Sequence, residues 1–162
     1  MEKTFSLDWA GAPLTISTGK LAQQASASVV ASLGDTTVLA TVVMSPDKRA
    51  GIEFFPLSVE YEEKLYAAGK IKGSRFIKRE GRPSDDATLI GRLIDRSLRP
   101  LFDDRMRNEI QVIVSVLSFD GVHSPDVVGL IAASTALHMS HIPWRGPIAG
   151  AKVGRVNGEW RI

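Results

Sequence analysis

The chain has 162 residues, 44% hydrophobic and 23% charged, and its 20 Lys+Arg against 18 Asp+Glu leave a formal net charge of only +2. That describes an ordinary soluble globule of one domain, or one domain and part of another, large enough to bury a real core. The absence of cysteine excludes disulfides, thiolate metal sites and a cysteine nucleophile, and it fits a reducing compartment.

The N-terminus, MEKTFSLDWAG, has no basic stretch followed by an apolar one, so it is not a secretory signal. No apolar run approaches the ~20 residues needed to cross a bilayer. Residues 3–9 and 13–18 alternate around Ala10-Gly11-Ala12 and predict a hairpin. Residues 26–33 and 36–44, joined by Gly34-Asp35, predict a second. A strand is expected over 54–61, and residues 109–119 (EIQVIVSVLSF) are apolar enough to be a central strand. An alanine-rich helix is predicted over 126–140, entered through Ser124-Pro125 and left before Pro143. Its Gly129, Ala132, Ala133 and Ala136 allow close approach to a sheet.

Residues 70–102 hold most of the excess positive charge: Lys70, Lys72, Arg75, Lys78, Arg79, Arg82, Arg92, Arg96 and Arg99, against four acidic side chains. Through Pro83 this stretch reads as an exposed loop with two glycines, a proline and no sustained hydrophobic period. A helix follows, with Ser84 as N-cap and Asp85 and Asp86 in the first turn, where the helix dipole favours negative charge. At about 100° per residue, Arg92, Arg96 and Arg99 form one stripe, with Ile90, Leu93, Ile94 and Leu101 facing a core. Pro100 ends or kinks the helix.

Two readings fit the stripe. It is either a solvated helix face with an ordinary Asp95–Arg99 ion pair, or an arginine row whose planar forks hold phosphates. The loop's Phe76-Ile77-Lys78-Arg79 favours the second, because bases stack on rings while cations hold the backbone. Its alternative is that Phe76 and Ile77 tuck the loop onto the domain. No metal site is read from His123, His138 and His141, and the pairs Asp85-Asp86 and Asp103-Asp104 suit cap and turn roles. At the far end, residues 149–156 and 159–162 flank Asn157-Gly158, a strong hairpin signal. A hairpin there reads as a sheet cut short, so the chain is expected to be a fragment of a longer polypeptide.

The segments FFPLSVEYEEKLYAAGKIKGS, FIKREGRPS and LIGRLIDRSLRPLF closely resemble the N-terminal region of the bacterial polynucleotide phosphorylase family. The resemblance runs from the first hairpin through GPIAGAKVGRVNGEW and so covers essentially the whole chain. It implies an α+β, RNase PH-like two-layer domain, with residues 1–145 the N-terminal part of the first core domain and 146–162 the start of a following hairpin. It further implies a second core domain, a helical insert, and C-terminal KH and S1-type domains elsewhere in the polypeptide. Three such chains would form a cytoplasmic ring admitting single-stranded RNA rather than DNA, open to RNA-degradation complex partners. Inorganic phosphate, with Mg2+ present, would attack the 3′-terminal linkage and release nucleoside diphosphates.

Residue by residue, the resemblance places Phe76, Ile77, Lys78, Arg79 and Arg82 along the RNA channel, with Ile77 and Lys78 as conservative departures and Arg75 as an extra loop residue. It points Arg92, Arg96 and Arg99 towards RNA. It assigns catalysis and the magnesium site mainly to the second core domain, so no catalytic or metal residue is expected in this chain. Catalytic RNase PH-like domains hold phosphate with an arginine where this sequence has Asp126, a carboxylate that would repel it. The alternative is a non-catalytic RNA-binding or scaffold module.

Overall fold

A six-stranded sheet, with period-two alternation of buried and open residues along its central strands, forms among the residues that the computed structural model describes, 2–9, 11–71, 73 and 81–161. Strands β1 (Lys3–Trp9) and β2 (Ala12–Thr18) form the first predicted hairpin, and β3 (Ala27–Leu33) and β4 (Thr36–Lys48) the second. With β5 (Leu57–Glu63) and β6 (Asn108–Ser118) the order is β1-β2-β3-β4-β6-β5. The β5–β6 pair is parallel and the others antiparallel, so the sheet is mixed. Strand β6 lies between β4 and β5, the interior place its apolar run requires.

Helices α1 (Asp85–Leu98) and α2 (Pro125–Met139) cover the same face of this sheet. That face carries Val38, Ala40 and Val42 from β4 and Val112, Val114 and Val116 from β6, all buried. Gly129 of α2 is where the layers come closest. A Cβ there would stand 2.9 Å from Val114 Cγ1 and 3.6 Å from the Tyr61 ring, so the missing side chain sets the helix-to-sheet distance. The small residues Ala132, Ala133 and Ala136 are fully buried in the same helix.

Three predicted boundaries move for tertiary reasons. Strand β4 continues past Met44 to Lys48, because an irregularity in the ladder lets Lys48 pair again with Asn108. Strand β5 starts at Leu57 rather than at residue 54, where Phe54 stands exposed before Pro56. The last hairpin is short, β7 (Gly154–Val156) with β8 (Glu159–Arg161), and forms its own two-stranded sheet. Residues 148–152 lie along α2 instead of pairing: the Ile148 amide donates to Ser134 Oγ at 2.8 Å, Gly150 rests on Leu130, and Lys152 reaches Asp126.

Candidate nucleic-acid interface

Helix α1 begins as its sequence dictates. Ser84 has extended backbone angles, its Oγ accepts the Ala87 amide at 3.0 Å, and its own hydroxyl donates to Glu63 Oε2 at 2.9 Å. The cap therefore also ties the helix start to the end of β5. Ala87, Gly91, Ile94 and Leu98 form the buried stripe, and a Cβ on Gly91 would stand 3.4 Å from the Val59 carbonyl. The helix gives way to a 3-10 turn over Arg99–Leu101, where Pro100 stops the α-helical ladder.

The outward face differs in two respects from the sequence reading. Leu93, expected on the core side, is 55% exposed, because it lies about 130° around the axis from the centre of the buried stripe. Leu89 is exposed beside it, so the open face mixes leucines with the exposed Arg92 and Arg96. The expected row of three arginines also divides. Arg99 is half-buried, its guanidinium bonded to Asp95 at 2.7 and 3.0 Å and to the carbonyls of Phe55 and Leu57 at 3.1 Å each.

A groove of about 1030 Å³ opens between the end of β5, a 3-10 turn over Leu65–Ala68, and the first turns of α1 and α2. Arg82 and Lys70 line it, and among the described residues neither is paired with a carboxylate. Three of the groove's carboxylates have partners beside them: Glu62 has Lys64 at 3.1 Å and Ser115, Glu63 has the Ser84 hydroxyl, and Asp126 has Lys152 at 2.8 Å. Asp126 also accepts its helix's Val127 amide at 2.8 Å and the Ser124 hydroxyl. Burial pushes the Asp126 carboxyl up, but Lys152, Ser124 and the Val127 amide outweigh it and hold it below its ordinary value. The start of α2 thus carries an anion of its own, and nothing in the spacing of Asp126 and Lys152 announces the pair. Tyr61 on the groove wall is buried with its hydroxyl unbonded; burial, then the Glu63 and Asp126 carboxylates, push its pKa above the usual phenol range.

The loop leading into α2 is pinned by one carboxylate. Asp120 accepts from the Val122 and His123 amides at 2.8 Å each, from Thr36 Oγ1 at 3.0 Å and from the His123 ring at 2.6 Å. Gly34, at φ 57°, completes the pin: a Cβ there would sit 2.6 Å from the His123 ring. The His123 ring first, then its backbone amide, hold the Asp120 carboxyl well below the usual carboxylate range. A depressed folded-state pKa stabilises above the unfolded value of about 3.9, and that contribution is lost as pH falls through it towards the folded value. Asp120→Asn is therefore expected to lower the Tm at neutral pH and to flatten the loss of Tm below about pH 4. Thermal melts of the two proteins from pH 7 to pH 2 check this; parallel curves would refute it.

Phe76, Ile77, Lys78 and Arg79, expected in the RNA channel, lie outside the described residues. His138 and His141 are exposed at the end of α2, while His123 serves the Asp120 pin. Among the described residues no three His, Cys, Asp or Glu side chains stand together to hold a metal ion. Asp103 is bonded to Arg105, and Asp85 and Asp86 occupy the first turn of α1, so these residues do not fit a magnesium site. No helix of the described chain is long and apolar enough to cross a membrane.

A mixed sheet with both helices on one face and a groove between their first turns defines an RNase PH-like domain. Residues 11–143 match the profile of the 3′ exoribonuclease family, domain 1, and the chain belongs to that family. It is 54% identical over 154 residues to the polyribonucleotide nucleotidyltransferase of Rhizobium meliloti (strain 1021), and 56% identical to that of Bradyrhizobium sp. (strain ORS 278). Each alignment covers 95% of this chain and 21% of the relative, so the chain spans about a fifth of those proteins' length. The crystal structure of rice (Oryza sativa) Rrp46 shares the fold, with a TM-score of 0.69 at 21% identity over 90% of this chain and 66% of that one.

Proposed function

We propose that the chain is the first core domain of a phosphate-dependent 3′-to-5′ exoribonuclease, where it guides single-stranded RNA and leaves catalysis to other parts of the polypeptide. In this reading residues 1–145 are the N-terminal part of that domain and 146–162 the start of a following β-hairpin. The observation that carries the guiding role is the placement of Arg92 and Arg96 on the open face of α1, with Arg82 just ahead of its cap. Cations so arranged track a phosphate backbone without reading bases, and Phe76, Ile77, Lys78 and Arg79 extend the same track in sequence. The relatives' name, polyribonucleotide nucleotidyltransferase, supplies the reaction class.

The non-catalytic role rests on Asp126. Its carboxylate, bonded to Lys152 and to its own helix, stands where a catalytic copy of the fold would need a cation for phosphate. Phosphate and magnesium belong to the whole enzyme in this reading, and no step through either is assigned to these residues. A ring of three chains in the cytoplasm, serving RNA turnover, is the corresponding assembly. Incubated with poly(A), inorganic phosphate and Mg2+, residues 1–162 alone are expected to release no nucleoside diphosphate, whereas the full-length protein does. Robust phosphate-dependent turnover by the purified chain would overturn the assignment.

A further inference from the structure

We infer that Arg99, together with Asp95, is a positioning residue that sets the roll of α1 and so aims Arg96 and Arg92 at RNA, without itself touching it. The inference rests on the RNA-guiding reading and deepens it. Four hydrogen bonds engage the Arg99 guanidinium: Nε and Nη2 hold the two Asp95 oxygens at 3.0 and 2.7 Å, Nη1 holds the Phe55 carbonyl and Nη2 the Leu57 carbonyl. Its carbon lies 5.8 Å from the centre of the Phe55 ring, which packs against Phe102 at 5.0 Å. A phosphate could take this fork only by displacing a bidentate carboxylate.

The two ends of α1 are tied to the two ends of β5. Ser84 bonds Glu63 at the last residue of the strand, and Arg99 bonds Leu57 at the first. Between them Gly91 lets the helix lie close on the strand backbone and the buried Ile94 and Leu98 face the core, while the end ties set the final rotation of the outer face. Loosening the Arg99 tie leaves a helix hinged at Ser84, and Arg96, one turn from the break, loses its aim.

A direct contact and a positioning role predict opposite signs for one conservative change. Asp95→Asn keeps the size of the side chain and leaves Arg99 its two carbonyl bonds, so the fold survives. Freeing a phosphate-binding arginine from a competing carboxylate would tighten RNA binding; loosening a positioning tie weakens it. In the full-length protein, titrated with fluorescein-labelled oligoadenylate, Asp95→Asn is expected to weaken binding by about threefold or more. Arg99→Lys, which keeps the charge and loses the fork, is expected to weaken it likewise, and adding Asp95→Asn to the Arg92→Ala, Arg96→Ala double variant to cost nothing further. Tighter or unchanged binding by Asp95→Asn, or full rescue by lysine, would overturn the positioning role while leaving the RNA reading in place. No effect of Arg96→Ala would remove the RNA reading itself, and this inference with it.

Discussion

Ile94→Ala is expected to destabilise the domain by about 2–5 kcal/mol, the usual cost of emptying a fully buried aliphatic site. Ile94 has no exposed surface, and its Cδ1 reaches to 3.9 Å of the point where a Gly129 Cβ would stand. It is thus a fully buried side chain of α1 that faces α2 at Gly129. Neither neighbour can move in to fill the space, because Gly129 already sits against Val114 and Gly91 already lies on β5. For a chain of this size the loss corresponds to a fall in Tm of roughly 5–15 °C. Urea unfolding of the variant, with an unchanged slope and a lower midpoint, measures it. A midpoint equal to that of the parent sequence would mean that α1 does not pack where it is described.

Much of this architecture is written in local signals. Gly34-Asp35 and Asn157-Gly158 mark turns that only a few residues can make, and both hairpins form there. Ser84 starts α1 by a bond to an amide three residues away, a purely local device. The features that sequence does not show depend on partners distant in the chain. Arg99 leaves the arginine row for carbonyls 42 and 44 residues away, and periodicity carries no record of them. Lys152 meets Asp126 because residues 148–152 run back along α2, which also shortens the last hairpin. Counting Leu93 with Ile90 and Ile94 places it inward, although its angle on the helix puts it beside the open arginines.

The largest expected effect on function comes from the cations ahead of α1. Arg82 stands on the groove between the two helix starts, and Lys78 and Arg79 precede it within four residues. If all three hold phosphates, each forms a charge-assisted bond that is strong at low salt and releases a counterion when made. Removing them has two separable consequences. Affinity falls roughly tenfold for each cation removed. The salt dependence flattens as well, by about 0.7 in log–log slope for each phosphate no longer neutralised, because fewer counterions are released. A merely destabilised protein would lose affinity without that second signature.

The measurement that tests the guiding role most directly is therefore a salt titration of single-stranded RNA binding by the full-length protein and its Lys78→Ala, Arg79→Ala, Arg82→Ala triple variant. Weaker binding by the variant is expected at every salt concentration, similar for oligomers of different sequence, with the slope of log K against log salt reduced by about 2. An unchanged affinity and an unchanged slope would leave this cluster a solvated surface and contradict the guiding role.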